Sequence, residues 1–135
     1  MYNKILVTGG SGLLGTALQR MLPSAFYISS KDVDLRDFEQ TETLFSEIQP
    51  DAVIHLAGRV GGLRANMEQK GLFYHDNTKI NLNVLEAART SKVRKVLSTM
   101  STCIYPDEAT YPLTEDQIHN GEPHASNYSY AYAKR

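Results

Sequence analysis

Three regularly spaced glycines directly after a short apolar run constrain the fold of this chain more than any other feature. Residues 4–8 (KILVT) are typical of a buried strand, and Gly9, Gly12 and Gly15 follow in a G-x-x-G-x-x-G pattern. Gly9 permits a tight turn, Gly12 lets the backbone approach a pyrophosphate group, and Gly15 lets a following helix lie close to the sheet. Because Thr16 stands where a Walker-type phosphate loop needs lysine, the pattern predicts a dinucleotide-binding turn.

Short apolar runs alternate with helical patterns in the rest of the first hundred residues. The predicted strands are residues 4–8, 25–29, 52–56 and 93–98, and the predicted helices are residues 13–22, 37–48 and about 76–90. Such alternation indicates βαβ units and a parallel sheet, with helices on both faces. We therefore predict an α/β fold, a Rossmann-like doubly wound parallel sheet, with ligands bound at the carboxyl ends of its strands.

Residues 100–127 lack this periodicity and are rich in Pro, Thr, Asn, His and Gly, before a helical pattern resumes at Tyr128. A loop of this length in a compact domain usually forms part of a site or covers one. We expect the loop to contribute to function.

Composition limits the class of protein. A length of 135 residues, 41% hydrophobic and 21% charged, is typical of one soluble globular domain spanning residues 1–135. The net charge of −1 gives no electrostatic reason to expect nucleic-acid or membrane partners. A single cysteine, Cys103, excludes an intrachain disulfide and indicates a reducing compartment. We expect a cytoplasmic protein without a metal site.

The residues after the second predicted strand bear on which nicotinamide cofactor is bound. NAD-binding sheets place an acidic residue there for the ribose 2′-hydroxyl, whereas this chain has Ser29, Ser30 and Lys31 before Asp32. Lys31 suits a 2′-phosphate, with hydrogen bonds from Ser11 and Ser30, and this favours NADP(H). The alternative is that Lys31 is a solvated surface residue and that Asp32 binds the ribose.

A Y-x-x-x-K pattern, Tyr130 with Lys134, provides a candidate acid for carbonyl reduction. Residues four apart share a helix face, so the Lys134 ammonium is expected to lower the Tyr130 pKa. Alone, the pattern arises by chance, and a packed tyrosine beside a solvated lysine is the ordinary alternative. Ser101, after the fourth strand, is a candidate hydrogen-bond donor to a carbonyl. Cys103 is either a small core residue or, near a cationic site, an acid or base.

Together these motifs resemble the extended short-chain dehydrogenase/reductase family, and in finer detail its GDP-L-fucose synthase group. Besides the glycine turn, the segments that carry the resemblance are SSKD (29–32), HLA (55–57), VGG (60–62), STCIYP (101–106), IHNG (118–121) and YAKR (132–135). The resemblance implies NADPH-dependent epimerisation of GDP-4-keto-6-deoxy-D-mannose at C3 and C5, followed by reduction at C4 to GDP-L-fucose.

The resemblance also implies a role for each candidate catalytic residue. Tyr130 is the general acid of the reduction, and Lys134 is its pKa-lowering and ribose-binding partner. Ser101 donates a hydrogen bond to the carbonyl, and Cys103 is one proton-transfer group of the epimerisation.

The cofactor contacts implied by the resemblance extend over several motifs. Asp34 and Leu35 resemble the family's adenine contact. Gly58 stands where the family more often has alanine. The predicted cofactor-binding residues are Gly9, Gly10, Ser11, Gly12, Leu13, Leu14, Gly15, Ser30, Lys31, Asp34, Leu35, Leu56, Ala57, Gly58, Val60, Tyr130 and Lys134.

Members of this family continue well beyond Y-x-x-x-K, so the resemblance implies a chain that stops before the C-terminal substrate domain. The family partners are a GDP-sugar substrate and a second subunit of a homodimer. Two alternatives remain open. One is a catalytically inactive protein that binds nucleotide or associates with a homologue. The other is a different NAD(P)-dependent sugar-nucleotide epimerase or dehydratase, against which VGG and the pair Ser101 and Cys103 argue.

Overall fold

Strands and helices alternate in a computed structural model that describes residues 2–135. The elements are β1 (Ile5–Thr8), α1 (Leu13–Met21), β2 (Phe26–Ile28), α2 (Phe38–Ile48), β3 (Ala52–His55), α3 (Leu63–Glu68), α4 (Lys70–Thr90), β4 (Lys95–Ser98) and α5 (Tyr128–Lys134), with single 3-10 turns at Thr102–Ile104 and Glu115–Gln117. The four predicted strands are present, and the three predicted helices correspond to α1, α2 and α4. Every bound lies within two residues of its prediction except the start of α4.

The four strands form one parallel sheet in the order β2-β1-β3-β4. The chain moves outward from β1 to β2 and then crosses to β3 on the other side of β1, which creates a topological switch point at the carboxyl ends of β1 and β3. The Rossmann-like α/β prediction is confirmed. Among the described strands, β4 pairs with β3 alone, and Leu97 on this edge strand is 52% exposed.

Local sequence explains how α2 begins and ends. The Asp37 carboxylate accepts a hydrogen bond from the Gln40 main-chain N–H at 3.1 Å and so caps the first turn. At the other end Gln49 adopts a left-handed conformation (φ 51°), and Pro50 follows. Between these ends Leu44 and Phe45 face the core, which the helix covers on one side of the sheet.

The hydrophobic core lies between the sheet and helices α2 and α4, and its buried members come from six segments of the chain. They are Leu6, Ile28, Leu35, Leu44, Phe45, Val53, Val84, Ala87 and Ala88. None of the helices within residues 2–135 has the length and apolar character needed to cross a membrane.

The described residues form two compact units. The first, called here the sheet unit, contains residues 2–58 and Lys79–Thr99 and holds all four strands. The second, called the loop unit, contains Arg59–Thr78 and Met100–Arg135 and holds α3, α5 and both 3-10 turns. Helix α4 contributes residues to both.

The helices at the start of the loop unit differ from the sequence prediction, whereas its long loop agrees with it. Helix α3 was not predicted, and α4 begins at Lys70 rather than near residue 76. These residues carry little amphipathic periodicity, and the buried side chains of Asn66, Phe73 and Asn77 hold them in place. The predicted long loop is confirmed, since residues 100–127 contain two 3-10 turns and one isolated bridge between Pro106 and Pro123.

Candidate cofactor-binding and catalytic residues

The first turn after β1 requires glycine at its opening position. Gly9 has φ +74°, in the left-handed region that side chains disfavour, and a Cβ there would lie 2.9 Å from the Ala57 nitrogen. The turn closes with a hydrogen bond from the Gly12 N–H to the Gly9 carbonyl at 3.0 Å. The chain thus leaves β1 in direct contact with the end of β3, at the switch point of the sheet.

Gly15 allows α1 to lie directly on this turn. A Cβ at Gly15 would lie 2.5 Å from the Gly9 oxygen and 2.6 Å from the Gly10 oxygen. These distances are below any real carbon contact, and both neighbours are main-chain atoms. The close approach predicted for Gly15 is therefore present, and it is made to the glycine turn itself.

The N-terminus of α1 has the free donors that an anionic group requires. Gly12 is its N-cap and supplies no side-chain hydrogen bond. Within residues 2–135, no hydrogen bond is donated by the main-chain N–H of Ser11, Leu13 or Leu14. Leu13 is 91% exposed. A solvent-facing, uncapped N-terminus beside a turn that excludes side chains suits a pyrophosphate group.

The turn after β2 uses Asp32 as an internal acceptor. One carboxylate oxygen of Asp32 accepts hydrogen bonds from the Ser29 N–H at 2.8 Å and the Ser29 hydroxyl at 2.7 Å. The hydroxyl bond first, and then the N–H bond, hold the Asp32 pKa below its usual range. Ser30 and Lys31 are exposed next to this turn. Asp32 therefore has a structural role, while Lys31 presents its ammonium to solvent.

The predicted adenine-binding pair, Asp34 and Leu35, lies between β2 and α2. Asp34 forms an ion pair with Arg36, with guanidinium bonds of 2.9 and 2.8 Å, and these bonds lower the Asp34 pKa to about 2. The Leu35 side chain lies in the hydrophobic core, and its carbonyl accepts a 2.9 Å bond from Asn83. The Leu35 side chain is therefore part of the core, and its carbonyl is bonded to α4.

A buried polar chain at the switch point was missed by the sequence analysis. The Thr8 hydroxyl oxygen accepts a bond from the Ala57 N–H at 3.3 Å and lies 2.7 Å from Nδ1 of His55. Nε2 of His55 lies 3.1 Å from Oδ1 of Asn81. Because Oδ1 only accepts, Nε2 donates to it, and Thr8 and Asn81 together contact both ring nitrogens. Thr8 and His55 face each other in the register of β1 and β3, which no local pattern specifies.

In the loop unit, Ser101 and Cys103 share one 3-10 turn. Ser101 is the N-cap of Thr102–Ile104, and its Oγ accepts the Cys103 N–H at 3.3 Å. The hydroxyl proton of Ser101 is not used in this bond, so it stays available for donation. Ile104, 2% exposed, anchors the turn in the interior, while Cys103 is half-buried.

Tyr130 and Lys134 both lie on α5. The expected direction of the Tyr130 pKa was wrong. Burial, and then the negative charge of Cys103 in its thiolate form, raise the Tyr130 pKa, and burial lowers the pKa of Lys134. Removing a phenol from water disfavours the phenolate, so burial is the larger cause of the raised Tyr130 pKa. The phenol stays protonated at neutral pH, the form that a general acid needs.

Two asparagines, which no periodic pattern marks, hold the segment that contains Val60. Asn77 bonds both main-chain groups of Arg59, accepting from its N–H at 2.8 Å and donating to its carbonyl at 3.0 Å. Asn66 donates to the carbonyls of Gly61 and Gly62, which follow Val60, at 3.0 and 3.2 Å. Val60 itself is 75% exposed.

Residues 5–135 match the NAD dependent epimerase/dehydratase family. The chain belongs to this family. It is 47% identical to a GDP-L-fucose synthase of Dictyostelium discoideum over 97% of this chain and 43% of that protein. It is also 47% identical to a probable GDP-L-fucose synthase of Drosophila melanogaster over 98% of this chain and 43% of that protein. The chain spans less than half the length of these relatives.

Solved structures give the same fold. A GDP-L-fucose synthetase from Naegleria fowleri bound to NADP superposes with a TM-score of 0.88 at 44% identity, covering 98% of this chain and 44% of that one. A GDP-D-glycero-L-gluco-heptose synthase from Campylobacter jejuni, solved in the presence of NADPH, superposes with a TM-score of 0.92 at 28% identity, covering 98% and 40%.

In this member of the epimerase/dehydratase family, the predicted residues divide between the two units. The sheet unit holds the glycine turn, the turn after β2 and Leu56, Ala57 and Gly58 after β3. The loop unit holds Val60 and the four candidate catalytic residues Ser101, Cys103, Tyr130 and Lys134.

Proposed function

We propose that this chain supplies the NADP(H)-binding and catalytic portion of a GDP-L-fucose synthase. The reaction is 3,5-epimerisation of GDP-4-keto-6-deoxy-D-mannose and NADPH-dependent reduction at C4, which yields GDP-L-fucose. The observation that carries the proposal is the packing, within the loop unit, of α5, which holds Tyr130, against the 3-10 turn that holds Cys103. The likeness to the relatives named above supports the same reaction.

Reduction and epimerisation make different demands, and the loop unit meets both. Reduction of a ketone requires a proton for the new alkoxide, and Tyr130 holds one because its pKa is raised. Ser101 retains a hydroxyl proton to donate to the ketone oxygen. Epimerisation next to a ketone requires a group that removes and returns a proton at carbon, and Cys103 is the thiol available beside Tyr130.

The cofactor that we propose is NADP(H), which when bound supplies the hydride for reduction at C4. The side-chain-free turn of Gly9 to Gly15 and the uncapped start of α1 are the proposed pyrophosphate site. Lys31, with Ser30, is the proposed site of the ribose 2′-phosphate. The bonds from Ser29 to Asp32 support NADP(H) over NAD(H), because they commit one Asp32 oxygen to the turn.

Fluorescence titration of NADPH and NADH against Lys31→Ala tests the cofactor proposal. Loss of a charged hydrogen bond predicts a fall in NADPH affinity of roughly 10-fold or more, with NADH affinity nearly unchanged. Lys95→Ala, an exposed lysine on β4, is the matched control. An equal loss for both cofactors, or no loss of NADPH affinity, would contradict the assignment of Lys31.

The reaction is tested by following deuterium uptake at C3 and C5 by NMR and NADPH oxidation by absorbance. Because the relatives are more than twice as long, the assay uses this chain alone and this chain extended with the C-terminal portion of a relative. We expect very weak turnover by the chain alone. In the extended protein, Tyr130→Phe should stop NADPH oxidation, while Cys103→Ser should mainly slow deuterium uptake. Equal loss of both steps in both variants would defeat these roles.

We further propose a cytoplasmic homodimer that binds a GDP-sugar. Leu82 and Leu85 on α4 are 64% and 51% exposed, which supports burial of this helix by a second subunit. Light scattering after size exclusion is the test, with Leu82→Glu expected to yield monomers. A monomeric wild-type protein in the extended form would refute the homodimer.

A further inference from the structure

Arg135 contacts three segments of the loop unit at once. Its Nε donates to the Ile104 carbonyl at 2.7 Å. Its two terminal nitrogens donate to the Gly121 carbonyl at 3.1 and 3.0 Å. The guanidinium carbon also lies 5.2 Å from the ring centroid of Tyr132, one helical turn back. One side chain therefore links the 3-10 turn at Thr102–Ile104, the loop at Gly121 and helix α5.

The first of these segments carries the candidate proton-transfer groups. Ile104 ends the turn that Ser101 caps, and Cys103 lies between them. Helix α5 carries Tyr130 five residues before Arg135. The bond from Arg135 to Ile104 thus connects the turn that holds Cys103 to α5, the helix that holds Tyr130.

Arginine is suited to this task by its shape as well as its charge. The planar guanidinium presents donors in a fixed fork, so it reaches two carbonyls in different segments while its face stacks on an aromatic ring. A lysine has one point charge on a flexible stem and reproduces only part of this arrangement. A methionine keeps much of the stem but removes every donor.

We propose that Arg135 is a positioning residue that fixes the Ser101–Cys103 turn against α5 and thereby sets the position of the Cys103 thiol beside Tyr130. The consequence for catalysis rests on the function proposed above. The positional claim itself depends only on the contacts of Arg135, so the two can fail separately.

Thiol labelling tests the positional claim, because Cys103 is the only cysteine in the sequence. The rate of reaction with iodoacetamide is measured across pH for wild type, Arg135→Met, Arg135→Lys and the control Arg64→Met. Arg64 lies in the same unit on α3, with a side chain 89% exposed. Loss of the Arg135 bonds should loosen the turn and raise the labelling rate roughly 3-fold or more. Lysine should restore part of the wild-type rate, and the Arg64 variant should label like wild type.

Thermal unfolding is measured alongside, so that local loosening is separated from loss of the fold. An unchanged labelling rate in folded Arg135→Met would overturn the proposal, as would an equal change in Arg64→Met. If Arg135→Met does not fold, Arg135→Lys decides: faster labelling with a retained fold supports the proposal, and a wild-type rate overturns it.

The catalytic consequence is read from the ratio of two rates in the extended protein. Arg135→Met should slow deuterium uptake at C3 and C5 more than it slows NADPH oxidation, because the shifted group is the thiol. Faster labelling together with an unchanged ratio would retain the positional claim and refute the proposed role of Cys103. An unchanged labelling rate would refute Arg135 whatever the activity.

Discussion

Replacing Gly15 with alanine places a methyl group 2.5 Å from the Gly9 carbonyl oxygen, with the Gly10 oxygen at 2.6 Å on the same side. To restore an ordinary contact, α1 would have to move away from the turn by about 0.9 Å. Overpacking of this kind costs about 1–3 kcal/mol, and the better helix propensity of alanine returns up to about 1 kcal/mol. Because the atoms on the other side are main chain, no rotamer change relieves the contact.

Gly71→Ala is the matched control for Gly15→Ala. Gly71 also lies in the first turn of a helix, and a Cβ there would meet nothing within 4 Å. Both variants gain the propensity of alanine, so the difference between them isolates the overpacking cost. Urea unfolding followed by circular dichroism should show Gly71→Ala more stable than Gly15→Ala by about 1–3 kcal/mol. Equal stability of the two variants would refute the close packing of α1 on the glycine turn.

Three further perturbations address single groups. Asp34→Asn should flatten the fall in unfolding free energy between pH 3.8 and about 2, because the lowered Asp34 pKa stabilises the folded state above that range. Since the Asp34 side chain is 42% exposed, the effect measured by urea unfolding should stay below about 1 kcal/mol. A variant with the same acid slope as wild type would contradict this. Thr8→Val removes a hydrogen-bond partner of buried His55 and should lower the unfolding free energy by about 1–3 kcal/mol in the same assay. Thr8→Ser keeps the hydroxyl and should lower it less. The reverse order of the two variants would refute the hydrogen-bonded chain. In carbon-13 NMR of labelled tyrosine, Tyr130 should titrate above pH 10, and Cys103→Ser should lower its pKa without bringing it to 10, because burial is the larger cause.

The parts of the fold that depend on local patterns were predictable from sequence. The strands, the glycine turn and α2 follow from apolar runs, glycine spacing and capping residues, each read within a few positions. Helix α3 and the start of α4 were missed because they are held by bonds from buried Asn66 and Asn77 to the main chain of the preceding segment. A polar residue in sequence gives no sign that its amide will be buried and used in this way.

The candidate site was predictable in its residue types but not in its electrostatics. Sequence spacing placed Tyr130 and Lys134 on one helix, yet the direction of the Tyr130 pKa depends on burial, which arises only when distant segments pack. The contact between Thr8 and His55 depends on strand register, and the orientation of Asp32 depends on the geometry of one turn. Each of these is a tertiary or conformational property that the order of residues leaves undetermined.

The edge strand β4 has a consequence for handling this protein. Along its outer side the N–H and C=O groups lack a partner strand among the described residues, and Leu97 adds exposed apolar surface. Such an edge acts as a template for any extended segment of suitable pattern, including an edge of another molecule. The surface where a fifth strand would extend the sheet is therefore also the surface where aggregation is expected to begin. Covering it should raise solubility and stability together.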